Sequence, residues 1–335
     1  RESFGISFDN ETHTFNNLIT EAKQNMSPEF LETKTSMAVL HTRYSTSGEK
    51  NTGTTFTMPY KETHKLFNIG DFFMVFNGNI PFNEKYLELD ELKEHRTTLL
   101  ENYVDTLMIV QFIKNCVKDV KRMEDVLIKF VNIFPRAYSL MVMNNDKLFI
   151  VKDRYGVKPL CLGELNNYSN TNSNIDVWGY CVASESCALL DNYEYKREIE
   201  PGVVSIIDEN GYTNMYKHKN QILGSCLFEY IYFMNSKSIS YYLQNEGYNS
   251  EVISQIRYNF GVKLAQDEHI KSHIDSGNYV VVGVPSTGKS SALGFADILK
   301  LPYVDGLVKN PNSNRTFILQ NDSSRNKAAD KKLVK

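Results

Sequence analysis

The stretch AYSLMVMNNDKLFIV, residues 137–151, contains two apolar runs on either side of three turn-forming residues, Asn144, Asn145 and Asp146. Two such runs around a short Asn-rich connection are typical of a β-hairpin, in which the two strands are antiparallel. The stretch therefore predicts an antiparallel sheet near the middle of the chain.

Strand signals of the same kind lie on both sides of this hairpin. Residues 72–76 (FFMVF) form an apolar run that leads into the Asn-Gly-Asn sequence at 77–79, which we predict to be a turn. Residues 203–208 and 212–216 flank another Asn-Gly sequence and predict a second hairpin. Between these strands, apolar residues at close to 3.6-residue spacing predict two covering helices, at residues 98–116 and 123–134.

The pattern changes after Lys217. Two helices, a buried apolar strand, a third helix and a second strand are predicted in turn, at residues 227–243, 249–266, 279–284, 292–299 and 301–304. Strand, helix and strand in this order are typical of the beginning of a parallel sheet. We therefore predict two domains, residues 1–217 and 218–335.

The composition excludes several classes of protein. The chain has 335 residues, of which 41% are hydrophobic and 23% charged, and a formal net charge of −3. This is typical of a globular protein of two domains, and a near-neutral charge lacks the basic footprint of nucleic-acid binding. Five scattered cysteines without a CxxC pair indicate a reducing compartment, and no apolar stretch is long enough to span a membrane. We therefore expect a cytoplasmic protein with neither a nucleic-acid nor a membrane partner.

The octapeptide GVPSTGKS, residues 283–290, satisfies the pattern G-x-x-x-x-G-K-[ST] of a nucleotide-binding P-loop. In a P-loop, backbone N–H groups cradle the phosphates, Lys289 would contact them and Ser290 would contact Mg²⁺. A P-loop nucleotide hydrolase also needs a strand with a metal-binding Asp and further sheet, and the residues after Ser290 are too few to supply both. A strand-to-helix turn that contacts phosphate in another fold is therefore the preferred interpretation.

Residues 152–160 (KDRYGVKPL) are interpreted as framework. Asp153 to Gly156 predict a turn, with a local charge pair between Asp153 and Arg154. No chemical role is assigned to this segment.

Eleven segments of the chain resemble, in the same order, segments of the glutamine phosphoribosylpyrophosphate amidotransferase family. They are RESFGI (1–6), HTRYSTSG (41–48), FNGN (76–79), NYVDT (102–106), RAYSL (136–140), KDRYGVKPL (152–160), ASESCAL (183–189), EPG (200–202), CLFEYIYF (226–233), VVGVPSTGKSSALGFA (281–296) and PYVDGLVKNPNSNRTF (302–317). The resemblance implies an α+β four-layer αββα sandwich of the N-terminal-nucleophile amidotransferase type. It further implies that this sandwich is followed by the start of an α/β type I phosphoribosyltransferase domain.

The resemblance also implies an activity. Members of the family transfer ammonia from glutamine to phosphoribosyl pyrophosphate (PRPP), which gives 5-phosphoribosylamine in the first step of purine synthesis. We expect the chain to be a fragment of such an enzyme, because it begins with Arg1 and lacks both the family's N-terminal nucleophilic Cys and most of the phosphoribosyltransferase domain. The fragment is expected to be inactive and the intact enzyme to be a homo-oligomer. A non-catalytic paralogue of the same fold remains the alternative.

Four residues match the glutamine pocket of the family. Arg43 would hold the α-carboxylate of glutamine through its guanidinium, and Asp105 would hold the α-ammonium group. Asn77 and Gly78 would form an oxyanion hole from one side-chain amide and one backbone N–H. Structural alternatives stay open, namely a surface ion pair for Arg43, a solvated helix position for Asp105 and an ordinary hairpin turn for Asn77 and Gly78.

In the second domain, the resemblance assigns PRPP contacts to Ser286, Thr287, Lys309 and Arg315. Ser286 stands where the family usually has Asp, so the turn lacks a carboxylate that a metal or a cationic partner would need. Lys309 and Arg315 lie in a segment that resembles a mobile loop closing over the sugar phosphate, with a solvated basic loop as the alternative. Mg²⁺ is implied for the intact enzyme.

Cys226 resembles the first of four cysteine ligands to a [4Fe–4S] cluster in one branch of the family. The other three ligands have no counterpart in this sequence, and such a cluster requires four thiolates. Cys226 is thus either a ligand in the intact protein or a packed apolar thiol. We expect this fragment to hold no metal or cluster by itself.

Overall fold

The computed structural model describes most of the chain, in places with the backbone alone, and divides it into two compact units. The described residues are 3–8, 11–15, 26–43, 58–62, 70–101, 103–120, 122–167, 176–189, 191–220, 222, 224–244, 247–267, 272, 274, 278–310, 323, 326–327 and 331–334. The first unit is Arg1–Ser225 and the second is Cys226–Lys335.

A six-stranded antiparallel sheet forms the centre of the first unit. The described strands of this unit are β1 (Ser3–Phe8), β2 (Glu11–Phe15), β3 (Ala38–Arg43), β4 (Tyr60–Glu62), β5 (Phe72–Asn79), β6 (Ala137–Asn144), β7 (Lys147–Lys152), β8 (Cys161–Asn167), β9 (Asp176–Ala183), β10 (Glu194–Glu198), β11 (Val203–Asp208) and β12 (Gly211–Lys217). The large sheet has the order β12-β11-β7-β6-β5-β4, and two smaller sheets have the orders β2-β1-β3 and β10-β8-β9. Both predicted hairpins are confirmed, as β6–β7 and β11–β12.

Helices cover one face of the large sheet. The described helices of this unit are α1 (Pro28–Glu32), α2 (Arg96–Glu101), α3 (Asp105–Asp119) and α4 (Met123–Ile133), with 3₁₀ turns at Glu84–Glu88, Lys93–His95 and Ser186–Ala188. Helices α3 and α4 share a core with the sheet, in which Phe112, Phe130 and Phe149 are buried. The rings of Phe112 and Phe130 meet at 61° with centroids 5.8 Å apart. Aromatic packing therefore joins the two helices.

The side chains of β7 alternate between two cores, as expected for a strand between two layers. Phe149 and Val151 belong to the core on the helix side of the sheet. Ile150 packs on the opposite face with Leu162 of β8. The sheet β10-β8-β9 therefore forms a layer behind the large sheet.

Helix α1 lies on the outer face of the other small sheet. Its Phe30 contacts rings on β1 and β2, those of Phe8, His13 and Phe15. On the opposite face of β1, a Cβ added to Gly5 would lie 2.5 Å from the carbonyl oxygen of Met58, whose side chain belongs to the core of the large sheet. The order of layers is therefore helices, sheet, sheets and helix, the αββα order that was expected.

Two predictions for the first unit are wrong in detail. The helix predicted at 98–116 is interrupted between Glu101 and Asp105, because Val104 has an extended backbone conformation. Residues 77–79 form no turn, since β5 continues through Asn79 and pairs with the start of β6. Pairing with a neighbouring strand has overridden the local turn preference of Asn-Gly.

The second unit is built from short elements. Its described helices and strands are a π-helical turn (Glu229–Phe233), β13 (Ile239–Gln244), β14 (Gly247–Val252), α5 (Ile253–Ala265), β15 (Val281–Val282), α6 (Lys289–Leu299), β16 (Tyr303–Val304), β17 (Val308–Lys309) and β18 (Leu333–Val334). β13 pairs with β14 and β17 with β18 in antiparallel fashion, whereas β15 and β16 are parallel, as predicted. In the described part of the chain, no helix is long and apolar enough to cross a membrane.

Helices α5 and α6 approach each other through glycine. A Cβ added to Gly261 of α5 would lie 1.8 Å from the Ser291 carbonyl oxygen, and one added to Gly294 of α6 would lie 2.2 Å from the Tyr258 carbonyl oxygen. The Ser291 hydroxyl also donates to the carbonyl oxygen of Arg257, at 2.8 Å. Backbone contact between the helices therefore depends on the two glycines.

Three predictions for the second unit need correction. The helix predicted at 227–243 is limited to the turn Glu229–Phe233, because the β-branched and aromatic run that follows forms β13. The helix predicted at 249–266 begins only at Ile253, after β14. The run at 279–284 was predicted to be a buried strand, but β15 has two residues and is largely exposed, since its only partner among the described strands is β16.

Candidate functional site

The end of strand β5 carries Asn77 and Gly78, which lie opposite Ser139 and Tyr138 of β6. A Cβ added to Gly78 would lie 2.5 Å from the Cβ of Tyr138 and 2.6 Å from the carbonyl oxygen of Ala137. Backbone atoms cannot move aside as a flexible side chain can, so only glycine fits at this position. Asn77 is exposed and Gly78 is half-buried, so this strand end is accessible to a ligand.

The direction of the Gly78 N–H follows from the partners of Tyr138. The Tyr138 N–H donates to the Asp153 carboxylate at 3.1 Å, and its carbonyl oxygen accepts the Asp153 N–H at 3.2 Å. Both groups thus point away from β5, which makes Gly78 and Tyr138 a non-hydrogen-bonded pair. The Gly78 N–H therefore points toward the β4 side. Because β4 pairs only with residues 72–74, within the described residues this N–H lies beyond the end of β4.

Asp105 lies next to this strand end. Its Oδ2 accepts the N–H of Ile80 at 3.3 Å, and its Oδ1 accepts the N–H of Thr106 at 2.8 Å. The Tyr103 hydroxyl donates to the carbonyl oxygen of Ile80 at 2.6 Å. Residues 103–105 therefore hold both polar groups of the Ile80 residue, two positions beyond Gly78. The structure thus brings Asp105 together with Asn77 and Gly78, although 25 residues separate Asp105 from Ile80.

Asp105 is buried rather than solvated, with 8% of its surface exposed. Burial raises its pKa, and the hydrogen bonds from Ile80 and Thr106 oppose that rise because they favour the charged form. As the first residue of α3, Asp105 also lies where a helix stabilises a negative charge. The solvated-helix alternative for Asp105 is therefore wrong.

Arg43 is described by its backbone alone. It is the last residue of β3 and pairs with Ser3 of β1. Strand β3 approaches β5, the strand that carries Asn77 and Gly78. The Arg43 side chain lies outside the described part of the structure, so its contact with glutamine stays a prediction.

Two further residues bind the backbone of this strand end and of the adjacent β6, namely Tyr103 and Asp153. Tyr103 was not singled out, although it stands two positions before Asp105 in the NYVDT segment. Asp153 was assigned to a turn with a charge pair, but no ion pair joins it to Arg154 in the described part of the chain. Instead, the Arg154 guanidinium donates to the Tyr155 hydroxyl at 2.7 Å. The hydrogen bonds of Tyr103 with Ile80 and of Asp153 with Tyr138 join residues that are far apart in sequence, so they leave no local signal.

In the second unit, Ser286 and Thr287 lie in the turn between β15 and α6. Lys289 begins α6, and its ammonium group lies 2.8 Å from the Asp305 carboxylate, beside the Tyr303 hydroxyl, which donates to the same oxygen. This hydrogen bond raises the pKa of Lys289 and lowers that of Asp305. The P-loop lysine is therefore already paired with a carboxylate of its own chain.

The remaining predicted residues are not gathered into one site. Lys309 is exposed in β17, and Arg315 lies outside the described residues. Cys226 is half-buried, and its carbonyl oxygen accepts the N–H of Glu229.

The described residues do not by themselves supply either of the implied metal sites. Cys226 is the only cysteine of the second unit, whereas a [4Fe–4S] cluster needs four thiolates. Among the described residues, no three His, Cys, Asp or Glu side chains are grouped so as to hold a metal ion. The turn with Ser286 and Thr287 supplies hydroxyls but no carboxylate for Mg²⁺. No chemical step is therefore assigned to a metal held by this chain.

Comparison with known proteins points to one family. A family model described as a glutamine amidotransferase domain matches residues 62–190. Amidophosphoribosyltransferase of Bacillus subtilis is 28% identical over 326 residues, which is 96% of this chain and 60% of that protein. The rat enzyme of the same name is 31% identical over 207 residues, 59% of this chain and 37% of the relative. The chain thus spans at most about 60% of the length of these two relatives.

Solved structures agree with the sequence comparison. A glutamine PRPP amidotransferase from B. subtilis, in complex with ADP and GMP, has a TM-score of 0.71 and 28% identity. It covers 99% of this chain, which in turn covers 65% of it. A structure described as the allosteric regulatory enzyme of purine biosynthesis has a TM-score of 0.72 and 27% identity over the same shares. The predicted resemblance to glutamine PRPP amidotransferases, and the fold class that it implied, are therefore confirmed.

Proposed function

We propose that this chain is part of an amidophosphoribosyltransferase, which moves ammonia from glutamine to PRPP and so forms 5-phosphoribosylamine for purine synthesis. The observation that carries the proposal is the strand end at Asn77 and Gly78. There a backbone N–H points beyond the end of β4, within the described residues, and a buried carboxylate, Asp105, lies beside it. A donor for a developing oxyanion and an anion for a substrate ammonium group are what an amidotransferase pocket needs.

Each residue has a role in this proposal. The Asn77 amide and the Gly78 N–H stabilise the oxyanion that forms when a thiolate attacks the glutamine carboxamide. Asp105 attracts the α-ammonium group by its negative charge, in addition to the hydrogen bonds that it accepts from Ile80 and Thr106. Arg43 binds the α-carboxylate in a bidentate manner. The thiolate belongs to an N-terminal Cys, which the family pattern places before Arg1.

We further propose two domains. Residues 1–217 form an amidotransferase domain, and residues 218–335 form part of a phosphoribosyltransferase domain, which binds PRPP, the acceptor of the ammonia. Ser286 and Thr287 would contact the phosphates of PRPP with their hydroxyls, and Lys309 and Arg315 would neutralise charge on the same donor. Mg²⁺ would need carboxylates from outside the described residues. We further propose that the intact enzyme is a cytoplasmic homo-oligomer.

The test begins with the coding region on both sides of the printed sequence. The proposal expects an in-frame Met-Cys upstream and, downstream, two adjacent aspartates followed by a hydroxyl- and Gly-rich loop. The protein from that whole reading frame should release glutamate from glutamine and consume PRPP. A protein with both features that does neither reaction would refute the proposal. A reading frame without the Cys and the Asp pair would instead support the non-catalytic paralogue.

A P-loop nucleotide hydrolase is the second candidate. One observation favours it: the sequence GVPSTGKS follows a short strand and runs into a helix that begins at Lys289, as a P-loop requires. The ion pair of Lys289 with Asp305 counts against it, because a phosphate-binding lysine would have to leave this carboxylate first. Nucleotide binding by a Lys289 variant separates the two candidates.

A further inference from the structure

Asp153 is a fully buried carboxylate that follows the last residue of β7. Its Oδ1 accepts the N–H groups of Tyr155 and Gly156, at 2.8 and 3.0 Å. Its Oδ2 accepts the N–H of Tyr138, at 3.1 Å. All three partners are backbone donors, so this carboxylate fixes the backbone conformation rather than binding another side chain.

The side chain of Asp153 takes the place of a backbone carbonyl. In the β6–β7 ladder Ser139 pairs with Lys152, so Tyr138 and Asp153 are the next pair in register. The Asp153 N–H donates to the Tyr138 carbonyl oxygen as in a regular ladder, but the Tyr138 N–H binds the carboxylate instead of the Asp153 carbonyl oxygen. That carbonyl oxygen is free to accept the N–H groups of Gly156 and Gly202. The chain can therefore leave the sheet here while β6 stays fully bonded.

At this point the backbone of β6 is in direct contact with Gly78. An added Cβ on Gly78 would meet the Tyr138 backbone at 2.7 Å, so any shift of Tyr138 moves Gly78 as well. We propose that Asp153 is a positioning residue for the Gly78 N–H, which it aligns by fixing the Tyr138 backbone. Asp153 does not touch the substrate. Its effect passes through strand β6, which lies between β7 and β5 in the sheet.

The ionised form of Asp153 is the one that accepts three N–H donors. Burial raises its pKa to about 6, so the carboxylate is charged at neutral pH at a cost in stability. Lys152 is the charged side chain that lowers this pKa, and it is itself paired with Glu198. Arg154 and the neutral Tyr138 also face this region, and the N–H of His218 donates to the carbonyl oxygen of nearby Gly202. Buried carboxylates with a raised pKa are common at functional sites.

Asp153→Asn should remove the hydrogen bond to Tyr138 and keep the other two. The Asn oxygen can keep the two bonds from Tyr155 and Gly156, but its NH₂ group then faces the Tyr138 N–H, donor against donor. Ser205→Ala is the matched control. Ser205 is buried in β11, separated from β6 by β7, and its hydroxyl bonds to Tyr212 and Asn214. The Ser205→Ala substitution should lower the stability of the chain without changing the position of Gly78.

The first readout is the amide resonance of Gly78 in the chain itself. Labelling with [¹³C′]Asn and [¹⁵N]Gly selects the two Asn-Gly pairs of the chain, and the variant Asn210→Ser removes one of them and so assigns the other. We expect the resonance to move in Asp153→Asn but not in Ser205→Ala. In the wild-type chain it should titrate with a midpoint near the Asp153 pKa of about 6. That transition should disappear in Asp153→Asn.

The second readout is glutaminase kinetics in the protein from the whole reading frame, and this part rests on the proposed function. Asp153→Asn should lower kcat about tenfold with KM nearly unchanged, because an oxyanion donor acts mainly in the transition state. An unmoved and non-titrating Gly78 resonance would overturn the inference, as would an equal shift in Ser205→Ala. A wild-type protein without glutaminase activity would refute the proposed function alone, since the resonance still decides on Asp153.

Discussion

The two units of the chain bury apolar side chains to very different extents. In the first unit, phenylalanines such as Phe112 and Phe149 lie in one core between the large sheet and helices α3 and α4. Among the described residues of the second unit, the buried apolar side chains are Met234, Ile253, Ala265 and Ala296. There, helices α5 and α6 meet backbone to backbone at glycines instead.

This difference determines which kind of substitution each unit tolerates. A core of large side chains loses stability when one of them is shortened, because a cavity remains. A contact between backbones loses stability when a side chain is added, because neither backbone can move aside. The proposed glutamine site combines both kinds, since Asp105 begins helix α3 of the large core, whereas Gly78 meets the backbone of β6 directly.

The strongest test of the comparison is Phe112→Ala in the first unit. Removing this buried ring should lower the free energy of unfolding of the first unit by about 4 kcal/mol. Amide exchange measured by mass spectrometry should increase in peptides of β5, β6 and α3 but not in peptides of α5 and α6. Leu100→Ala, in an exposed position of α2, is the control and should change little. Equal effects of the two variants would contradict the assigned core.

The corresponding test in the second unit is Gly261→Ala. Its new Cβ would meet the Ser291 carbonyl oxygen, so α5 and α6 must separate, at a cost of about 3 kcal/mol. Exchange should now increase in α5 and α6. In the control Gly306→Ala, the added Cβ meets only side-chain carbons of Val282, at 3.2 Å or more, and should be tolerated. If Gly261→Ala is as stable as the control, the close helix contact does not exist in solution.

A smaller effect concerns the pH dependence of the first unit. The pKa of Asp153 is about 6 in the folded chain against 3.8 for the free side chain, so the folded state binds this proton more tightly. Its contribution to stability is therefore present at acidic pH and is lost as the pH rises from about 4 to 6, by on the order of 2 kcal/mol. The urea midpoints of the wild-type and Asp153→Asn chains at about pH 4.5 and about pH 7 measure this contribution. If the midpoint changes equally with pH in both chains, Asp153 is not its source.

The smallest expected effect is that of Lys289→Ala. The Lys289–Asp305 pair is solvent-exposed, and exposed pairs contribute little to stability, so the unfolding midpoint should barely change. We also expect no change in ATP affinity. Equilibrium dialysis with labelled ATP checks this, and ATP binding that Lys289→Ala abolishes would favour the P-loop candidate instead.

Much of this fold could be predicted from the sequence, because hairpins leave local signals. The strands around Asn144–Asp146 and around Asn210–Gly211 were predicted correctly, since each turn carries its own turn-forming residues. The strand at 77–79 was mistaken for a turn, because its conformation is imposed by β6, which is distant in sequence.

The candidate site could likewise be predicted only in part. Asn77, Gly78 and Asp105 were found through their resemblance to a family, and the structure brings them together. Tyr103 and Asp153 were missed because their effect depends on which distant backbone groups they bind. Such hydrogen bonds across the fold have no pattern that a single sequence reveals.

We propose that the strand end at Gly78 and the carboxylate of Asp105 form a glutamine pocket. Calorimetric titration of this chain with L-glutamine tests it most directly, with Asp105→Asn as the variant and Leu100→Ala as the control. We predict measurable binding that Asp105→Asn weakens at least about tenfold, the loss expected for a charge-assisted hydrogen bond, while Leu100→Ala binds as the wild type does. Absence of binding, or equal affinity in Asp105→Asn, would contradict the account.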